Sequence, residues 1–230
     1  MSRILSYRGN LAGPSAAGEN RLPAVRDALA LGWDVAIDIR RSDEGDFYVS
    51  SDPQQCVTGL LADDFCALFR QYPHTTIALN VKAPGDEAAL LSYLEAQRVI
   101  DQTLVVDTDS VERRPDESAA RLRALNPRVR IAARVSDRAE PIDAALQIES
   151  ASVIWLDESF GAWCTEEDVW RMKAAGRSVY AVSPDLRGRS FEETRARWLN
   201  FINWGMDGIC TNYPAALDRF MKAVTRHAAA

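Results

Sequence analysis

Apolar and polar residues alternate along this chain with two different periods. Short runs such as WDVAIDI and SVYAVS, in which apolar residues are continuous or occupy every second position, predict strands. Segments such as LLADDFCALF, with apolar residues three or four positions apart, predict amphipathic helices. The two patterns follow each other from end to end without a Pro/Gly/Ser-rich linker, so we predict a single α/β domain over residues 1–230.

The alternation yields eight strand–helix units. The strands are predicted at residues 3–7, 34–39, 76–81, 104–107, 129–135, 153–157, 178–183 and 208–211, with a short extra strand at 47–50. The helices are predicted at residues 23–31, 62–70, 116–125, 141–148, 166–175, 191–204 and 215–227, with one more beginning past Gly85. Eight units at a spacing of roughly 25 residues favour a closed (β/α)8 TIM barrel over a doubly wound sheet, which usually has fewer strands.

Composition and charge narrow the class of protein. The chain has 230 residues, 47% of them apolar and 26% charged, which suits one barrel of this kind. Its net charge of −6 argues against a nucleic-acid or acidic membrane surface, because such surfaces require clustered excess Lys and Arg. No apolar run is long enough for a transmembrane helix, and the first residues lack the apolar core of a signal peptide. We therefore expect a cytoplasmic protein without an integral membrane segment. The sequence predicts no particular oligomeric state.

Four cysteines, Cys56, Cys66, Cys164 and Cys210, lie far apart in the sequence. They form no CxxC pair and have no neighbouring His, so the spacing of a zinc site is absent, and a disulfide framework is not expected at this size. We predict packed thiols, since free Cys is among the more buried residue types.

In (β/α)8 barrels the active site lies at the C-terminal ends of the strands. Applied to the predicted strands, this rule selects ten candidates: Tyr7, Arg8, Asp38, Asn80, Lys82, Asp107, Arg134, Asp157, Ser183 and Asn212. The two histidines fall elsewhere, because His74 precedes the third strand, near the opposite end, and His227 belongs to the C-terminal tail. We predict that both histidines are surface residues.

Six segments in order resemble the motifs of the glycerophosphodiester phosphodiesterase family. They are YRG followed by Glu19 and Asn20, GWDVAIDIR, YVSSDP, ALNVK, VYAVSPDL and DGICTNYP. The resemblance spans nearly the whole chain and implies the same TIM barrel. The segments VSPDLRGR and IWLDESFGAW resemble most a branch of the family found in bacterial surface-polysaccharide gene settings.

The resemblance implies a chemistry for which most of the residues are missing. The family splits a phosphodiester with two histidines as general acid and base, and with a divalent cation held by an E-x-D pair and one further acid. Here the two histidine positions carry Tyr7 and Ser51, which do not shuttle protons near neutral pH as imidazole does. The acid positions carry Ala36 and Asn80, which leaves Asp38 alone. Mg²⁺ or Ca²⁺ is therefore expected only if Asp38 recruits other ligands.

The residues that would hold a phosphoryl group are retained. Arg8 offers a bidentate fork and Lys82 a point charge, while Arg134 adds a third cation at the same mouth. The alternative for each is a solvated rim residue or an ion pair, such as Lys82 with Asp38. Asp157 has two interpretations as well, a replacement ligand or acid, and an ion pair or helix cap. The predicted ligand-binding set is Arg8, Glu19, Asp38, Asp52, Lys82, Arg134 and Asp157.

Five of the six tryptophans divide by predicted position. Trp155 lies on the sixth strand and Trp163 in the following loop, so either could stack on a sugar, although packing explains Trp163 equally well. Trp170, Trp198 and Trp204 fall on helices and are predicted to pack against the barrel.

Three functional hypotheses follow. The first is a catalytically degenerate barrel that binds a phosphorylated sugar or glycerol-type ligand without hydrolysing it. The second is an active phosphodiesterase, or another phosphoryl- or glycosyl-processing enzyme, in which Asp38, Lys82 and Tyr7 take the place of the histidine pair. The third is an assembly subunit of a larger complex, for which large exposed apolar patches would be the sign.

Overall fold

The computed structural model describes residues 2–52, 60–82, 85–106 and 115–228, without the side chains of 115–118 and 227–228. Nine strands lie in these ranges: β1 (Arg3–Tyr7), β2 (Asp34–Arg41), β3 (Phe47–Val49), β4 (Ile77–Val81), β5 (Thr103–Val106), β6 (Arg130–Ser136), β7 (Val153–Asp157), β8 (Ser178–Val182) and β9 (Gly208–Thr211). The eight helices in the same ranges are α1 (Leu22–Ala30), α2 (Ala62–Phe69), α3 (Glu87–Ala96), α4 (Pro115–Leu125), α5 (Ile142–Gln147), α6 (Glu166–Ala174), α7 (Phe191–Asn203) and α8 (Pro214–Ala228). None of these described helices is long and apolar enough to cross a membrane.

The sheet closes on itself. β1 pairs in parallel with β2 on one side and with β9 on the other, which completes the ring β1-β2-β4-β5-β6-β7-β8-β9. β3 pairs antiparallel with the far end of β2 and stays outside the ring. The prediction of a (β/α)8 TIM barrel is confirmed, and so is the short extra strand.

Strand periodicity sorts the side chains into two apolar layers. Successive side chains of a strand point to opposite faces, so Val35 and Ile37 belong to the outer core under the helices, whereas Ala36 belongs to the cluster inside the ring. Asp38 follows Ala36 by two positions and therefore shares its inward direction, nearer the C-terminal end of the strand. Period two thus places the retained motif acid at the mouth of the barrel.

Two helices that follow mouth loops begin with a complete capping box. Thr165 caps α6 with Asp168 at the third helical position, and Ser190 caps α7 with Glu193 in the same way. In each box the hydroxyl accepts a backbone N–H and the carboxylate accepts the N–H of the cap residue, which satisfies two free donors. The loops that precede these helices are therefore anchored at their far ends.

The prediction that Trp170 packs against the barrel is wrong. Val169 and Met172 are the buried residues of α6, and Trp170 lies 69% exposed. Each helical residue is rotated by about 100° from the previous one, so a residue directly after a core position can face solvent. Trp198 is fully buried and Trp204 is partly buried against the core, as predicted.

Three of the four cysteines lie in the described residues. Cys66, Cys164 and Cys210 are buried and free, which confirms the prediction of packed thiols for these three. Burial raises the pKa of Cys66 to about 11 and that of Cys164 to about 12, so both stay protonated thiols at neutral pH. Cys56 lies outside the described residues.

Candidate functional site

A cavity of about 360 Å³ opens at the C-terminal ends of the barrel strands, where the fold places active sites. It is lined by Tyr7, Asn80, Lys82, Arg134, Arg138, Trp155, Asp157, Val182, Leu186, Arg187 and Cys210. Four of these side chains are cationic and one is a carboxylate. We call this cavity the mouth pocket.

A second cavity, of about 560 Å³, lies at the opposite end of the barrel. Its two cations already have acidic partners, since Arg3 is ion-paired with Asp34 and Lys173 Nζ lies 3.1 Å from Asp207. His74 lies at this end as well, exposed, with its carbonyl accepting a hydrogen bond from Arg3. Although larger, this cavity has the weaker claim to be the functional site, because its charges are paired and it lies away from the strand ends that carry chemistry in this fold.

Asp38 is completely buried, and both of its oxygens are in contact with polar groups. Asn80 donates to Oδ1 at 3.2 Å and Asn20 donates to Oδ2 at 3.0 Å. Arg8 Nε lies 2.7 Å from Oδ2, as an ion pair whose N–H is not aligned for a hydrogen bond. Lys82 Nζ lies 3.6 Å from Oδ1. The retained motif acid is thus neutralised from two sides within the protein.

The backbone turns sharply to bring Arg8 to this carboxylate. Arg8 and Asn20 both have left-handed φ angles, 56° and 57°, a conformation that costs a non-glycine residue roughly 1–2 kcal/mol. Hydrogen bonds hold the turn, because Arg8 N–H donates to Ala36 O at 2.6 Å and Asn20 N–H donates to Arg8 O at 2.8 Å. The guanidinium also donates to Glu19 at 2.9 Å and lies 4.8 Å from the centre of the Tyr7 ring. These motif residues bind one another.

The residues present do not fit the divalent cation that the resemblance implies. A Mg²⁺ or Ca²⁺ ion at Asp38 would meet a carboxylate whose oxygens already accept two amides, and it would lie beside Arg8 and Lys82. Glu19 is no free ligand either, since it accepts hydrogen bonds from Arg8 and Asn10. Among the described residues, no group of three His, Cys, Asp or Glu side chains is arranged to hold a metal.

The two residues at the histidine positions differ in their surroundings. Burial, reinforced by the charge of Asp38, raises the pKa of Tyr7 to about 12, so its hydroxyl stays protonated and acts as a hydrogen-bond donor to the mouth pocket. Ser51 is exposed. Asp52 follows it, with its backbone N–H bonded to Ser50 Oγ at 3.1 Å, directly before residues 53–59, which lie outside the described ranges. A proton carrier for neutral pH is therefore absent from both positions.

Across the mouth, one buried carboxylate holds two arginines. Asp157, 1% exposed, accepts from Arg134 Nη2 at 2.8 Å and from Arg187 Nε at 2.8 Å, with a further contact to Arg187 Nη2. Arg134 Nε has no hydrogen-bond partner and lies 3.9 Å from Glu140. Arg138 also lines the pocket. Two guanidinium groups thus bind one carboxylate and a third lines the same pocket, and of the two interpretations of Asp157 the structure shows the ion pair.

The rule that barrel active sites lie at the C-terminal ends of the strands does not select Arg138 and Arg187. Arg138 lies in the turn after β6, and Arg187 ends the 3-10 turn Pro184–Arg187 that follows β8. The sequence carried one signal for the second of them, since Arg187 belongs to the VSPDLRGR segment. Which way a loop side chain points depends on tertiary packing, which no periodic pattern reports.

Two tryptophans near the pocket have different roles. Trp155 lines the pocket from inside the ring, with its ring centre 6.4 Å from that of Tyr180. Trp163 donates its Nε1 hydrogen to Asp157 O at 3.3 Å and packs partly buried against the outer core. Packing therefore accounts for Trp163, whereas Trp155 lines the pocket.

The remaining strand-end candidates are structural or lie outside the description. Ser183, Thr211 and the backbone N–H of Asn212 all donate to Asp185, which joins the ends of β8 and β9. Burial of this carboxylate raises its pKa. Asp107 and the side chain of His227 lie outside the described residues.

No protein-family model matches the sequence, and no curated protein matches it. Solved structures do match. A protein from Galdieria sulphuraria assigned as a glycerophosphodiester phosphodiesterase is 17% identical with a TM-score of 0.76, over 96% of this chain and 98% of that one. A protein from Agrobacterium tumefaciens with a similar assignment is 14% identical with a TM-score of 0.74, over 98% of this chain and 99% of that one. A phosphodiesterase from Oleispira antarctica, in complex with its product sn-glycerol-3-phosphate, is 18% identical with a TM-score of 0.71, over 96% and 97%.

These similarities agree with the motif order and with the closed ring of strands. At identities below one fifth, a structural match shows the fold and leaves the activity open. This chain is a (β/α)8 barrel with the fold of the glycerophosphodiester phosphodiesterases, which it resembles with both motif histidines replaced.

Proposed function

We propose that the protein binds a phosphorylated small molecule, of glycerol or sugar type, in the mouth pocket and does not hydrolyse phosphodiesters by the two-histidine, metal-dependent route. The observation that carries the proposal is the cluster of three guanidinium groups at the pocket, where Arg134 and Arg187 bind Asp157 while Arg138 forms no ion pair within the described residues. Guanidinium groups bind phosphoryl oxygens in bidentate fashion, and such charge-assisted bonds are the strong ones.

The size of the pocket supports a small ligand. A cavity of about 360 Å³ lies at the low end of the range for small-molecule sites. The Oleispira antarctica structure of the same fold holds sn-glycerol-3-phosphate, a molecule suited to such a volume. We therefore take sn-glycerol 3-phosphate as the first probe of this pocket.

The arginine side is a better place for the phosphoryl group than Arg8. The guanidinium of Arg8 is engaged by Asp38 and Glu19, so it mainly neutralises these acids. On the other side, Arg138 lines the pocket and forms no ion pair within the described residues, so its charge is available to a phosphoryl group.

The alternative is an enzyme in which Asp38, Lys82 and Tyr7 do the chemistry. Tyr7 and Lys82 line the pocket and Lys82 lies beside Asp38, so the three are neighbours. A phenol with a pKa of about 12 is a poor base near neutral pH, and Asp38 is covered by its partners. Turnover of any member of a broad phosphodiester panel, abolished by Asp38→Ala, would support this alternative over the binding function.

Calorimetric titration with sn-glycerol 3-phosphate tests the proposal. We expect wild-type protein to bind it and Arg138→Gln to weaken binding about 10-fold, the effect of losing one charge-assisted bond. Arg26→Gln is the matched control, because Arg26 is an exposed residue of α1 and should leave the affinity unchanged. A folded wild-type protein that does not bind, or equal losses in both variants, would refute the proposal.

A further inference from the structure

The cations of the mouth pocket fall into two groups that are separated around the ring. Lys82 directly follows β4, whereas Arg134 lies on β6 and Arg138 just after it. β5 stands between them, and neighbouring strands are about 4.7–4.9 Å apart, so the backbones that carry the two groups are offset by about 10 Å. A single phosphoryl group bound by the arginines leaves the Lys82 side of the pocket for another part of the ligand.

Lys82 retains its hydrogen-bonding capacity. Its Nζ lies 3.6 Å from Asp38 Oδ1, which is an ion-pair distance too long for a hydrogen bond. No hydrogen bond to this ammonium is formed within the described part of the chain, although the group carries three donors. Asp38 meanwhile accepts from Asn20 and Asn80, so its oxygens are satisfied without Lys82.

Tyr7 adds a second donor on the same side. Its hydroxyl is protonated at neutral pH and lines the pocket together with Lys82. In the ranges that the structure describes, no hydrogen bond of this hydroxyl is present. An ammonium and a phenol hydroxyl that face one cavity, both without an acceptor, are complementary to a carboxylate, which is acceptor-only and anionic.

The charges lining the pocket agree with a second anionic group. Four cations and one carboxylate line it, so the lining carries an excess of positive charge, part of which Asp38 and Glu140 offset from behind. Asp137, next to Arg138, accepts the backbone N–H groups of Ser159, Phe160 and Gly161 at 2.9, 2.7 and 3.2 Å and forms no ion pair with Arg138. Within the described residues, Arg138 has no carboxylate partner and lies 5.4 Å from the centre of the Phe160 ring.

We propose that the ligand of this barrel is a phosphorylated carboxylic acid, with its phosphoryl group on Arg134, Arg138 and Arg187 and its carboxylate on Lys82 and Tyr7. This inference rests on the proposed function and specifies the class of molecule. Lys82 then determines specificity, because it distinguishes an acid from the corresponding alcohol across the same pocket. A desolvated ammonium prefers a carboxylate to a hydroxyl, since the carboxylate adds a charge-assisted bond.

Two ligands that differ at one carbon test whether the pocket prefers a phosphorylated acid. In 3-phosphoglycerate a carboxylate replaces the terminal CH₂OH of sn-glycerol 3-phosphate, and the phosphoryl end is the same. We expect 3-phosphoglycerate to bind at least about 10-fold more tightly in calorimetric titrations. Lys82→Met should bring the ratio of the two affinities to about one. Lys222→Met, an exposed lysine of α8 paired with Asp218, should keep the wild-type ratio.

The outcomes separate this inference from the function on which it rests. If neither ligand binds folded protein, the proposed function fails and the inference with it. If both bind with equal affinity, the phosphate site stands and the carboxylate site is overturned. The inference is also overturned if Lys82→Met weakens both ligands equally, because Lys82 would then hold the phosphoryl group.

Discussion

At the scale of residues, Asp38 determines what the retained motif positions can do. Its carboxylate is fully buried, it accepts from Asn20 and Asn80, and it pairs with Arg8 and Lys82. In a metal-dependent phosphodiesterase this residue would face the cation. Here it offsets the positive charge of its neighbours and so lowers the potential that an incoming anion meets.

Asp38→Asn should therefore tighten the binding of sn-glycerol 3-phosphate. The substitution keeps the shape of the side chain but turns one acceptor oxygen into an NH₂ donor. It removes one negative charge, which at about 10 Å and an effective dielectric of about 20 is worth on the order of 1 kcal/mol, or several-fold in affinity. Calorimetric titration measures the change. Asp218→Asn, at the surface pair with Lys222, should have no effect. Weaker binding in Asp38→Asn would show that the carboxylate contributes directly to ligand or metal binding.

The raised pKa of Tyr7 predicts a loss of folding stability at high pH. Burial raises its pKa to about 12 from an ordinary value of about 10, so the unfolded chain releases this proton before the folded protein does. The stabilisation by the neutral phenol is complete below pH 10 and is lost as the pH rises towards 12, at up to about 2–3 kcal/mol. Urea unfolding at pH 9 and pH 11.5 should show a smaller loss in Tyr7→Phe than in wild type. Equal losses would mean that Tyr7 is not desolvated.

At the scale of elements, the loops after β7 and β8 shape the arginine side of the pocket. Glu158, directly after Asp157, forms a buried ion pair with Arg197 of α7, and Arg197 also donates to Cys164 O at 2.7 Å. The same carboxylate accepts the backbone N–H groups of Trp163 and Cys164, both at 3.1 Å. The loop that follows Asp157 is thereby fastened to a barrel helix.

Arg197→Met should destabilise the protein by about 3–5 kcal/mol, because it leaves the carboxylate of Glu158 buried without its cation. Arg195 lies on the same helix, with its exposed guanidinium stacked on Phe220. Arg195→Met should therefore lower the free energy of unfolding by less than about 1 kcal/mol. Chemical denaturation of both variants measures the difference. Similar small costs would show that the Glu158–Arg197 pair does not anchor the loop.

Elements and loops differ in how far the sequence predicts them. β1, β7 and β9 have the predicted bounds, since buried parallel strands carry an apolar signal of their own. Arg138 and Arg187 are not predicted as pocket residues, because the direction of their side chains depends on contacts across loops, such as the one between Arg187 and Asp157. The motifs select Arg8 and Lys82, but the sequence alone does not predict whether their charges face a ligand or Asp38.

At the scale of the whole molecule, the charge of the mouth pocket is opposite in sign to the net charge of the chain. The chain carries a formal charge of −6, yet four cations and one carboxylate line the mouth pocket. Such a pocket concentrates small anions, while the acidic remainder of the surface disfavours polyanions such as nucleic acid. The placement of the protein in a surface-polysaccharide branch stays a prediction from its two sequence segments.

The central claim is that this barrel holds a phosphorylated ligand by its own cations, without a metal. Calorimetric titration with sn-glycerol 3-phosphate in excess EDTA and in millimolar Mg²⁺ or Ca²⁺ tests it most directly, with phosphodiester turnover followed in parallel. The structure predicts the same dissociation constant under all conditions and no turnover. Binding that requires the cation, or hydrolysis that appears with it, would contradict the account.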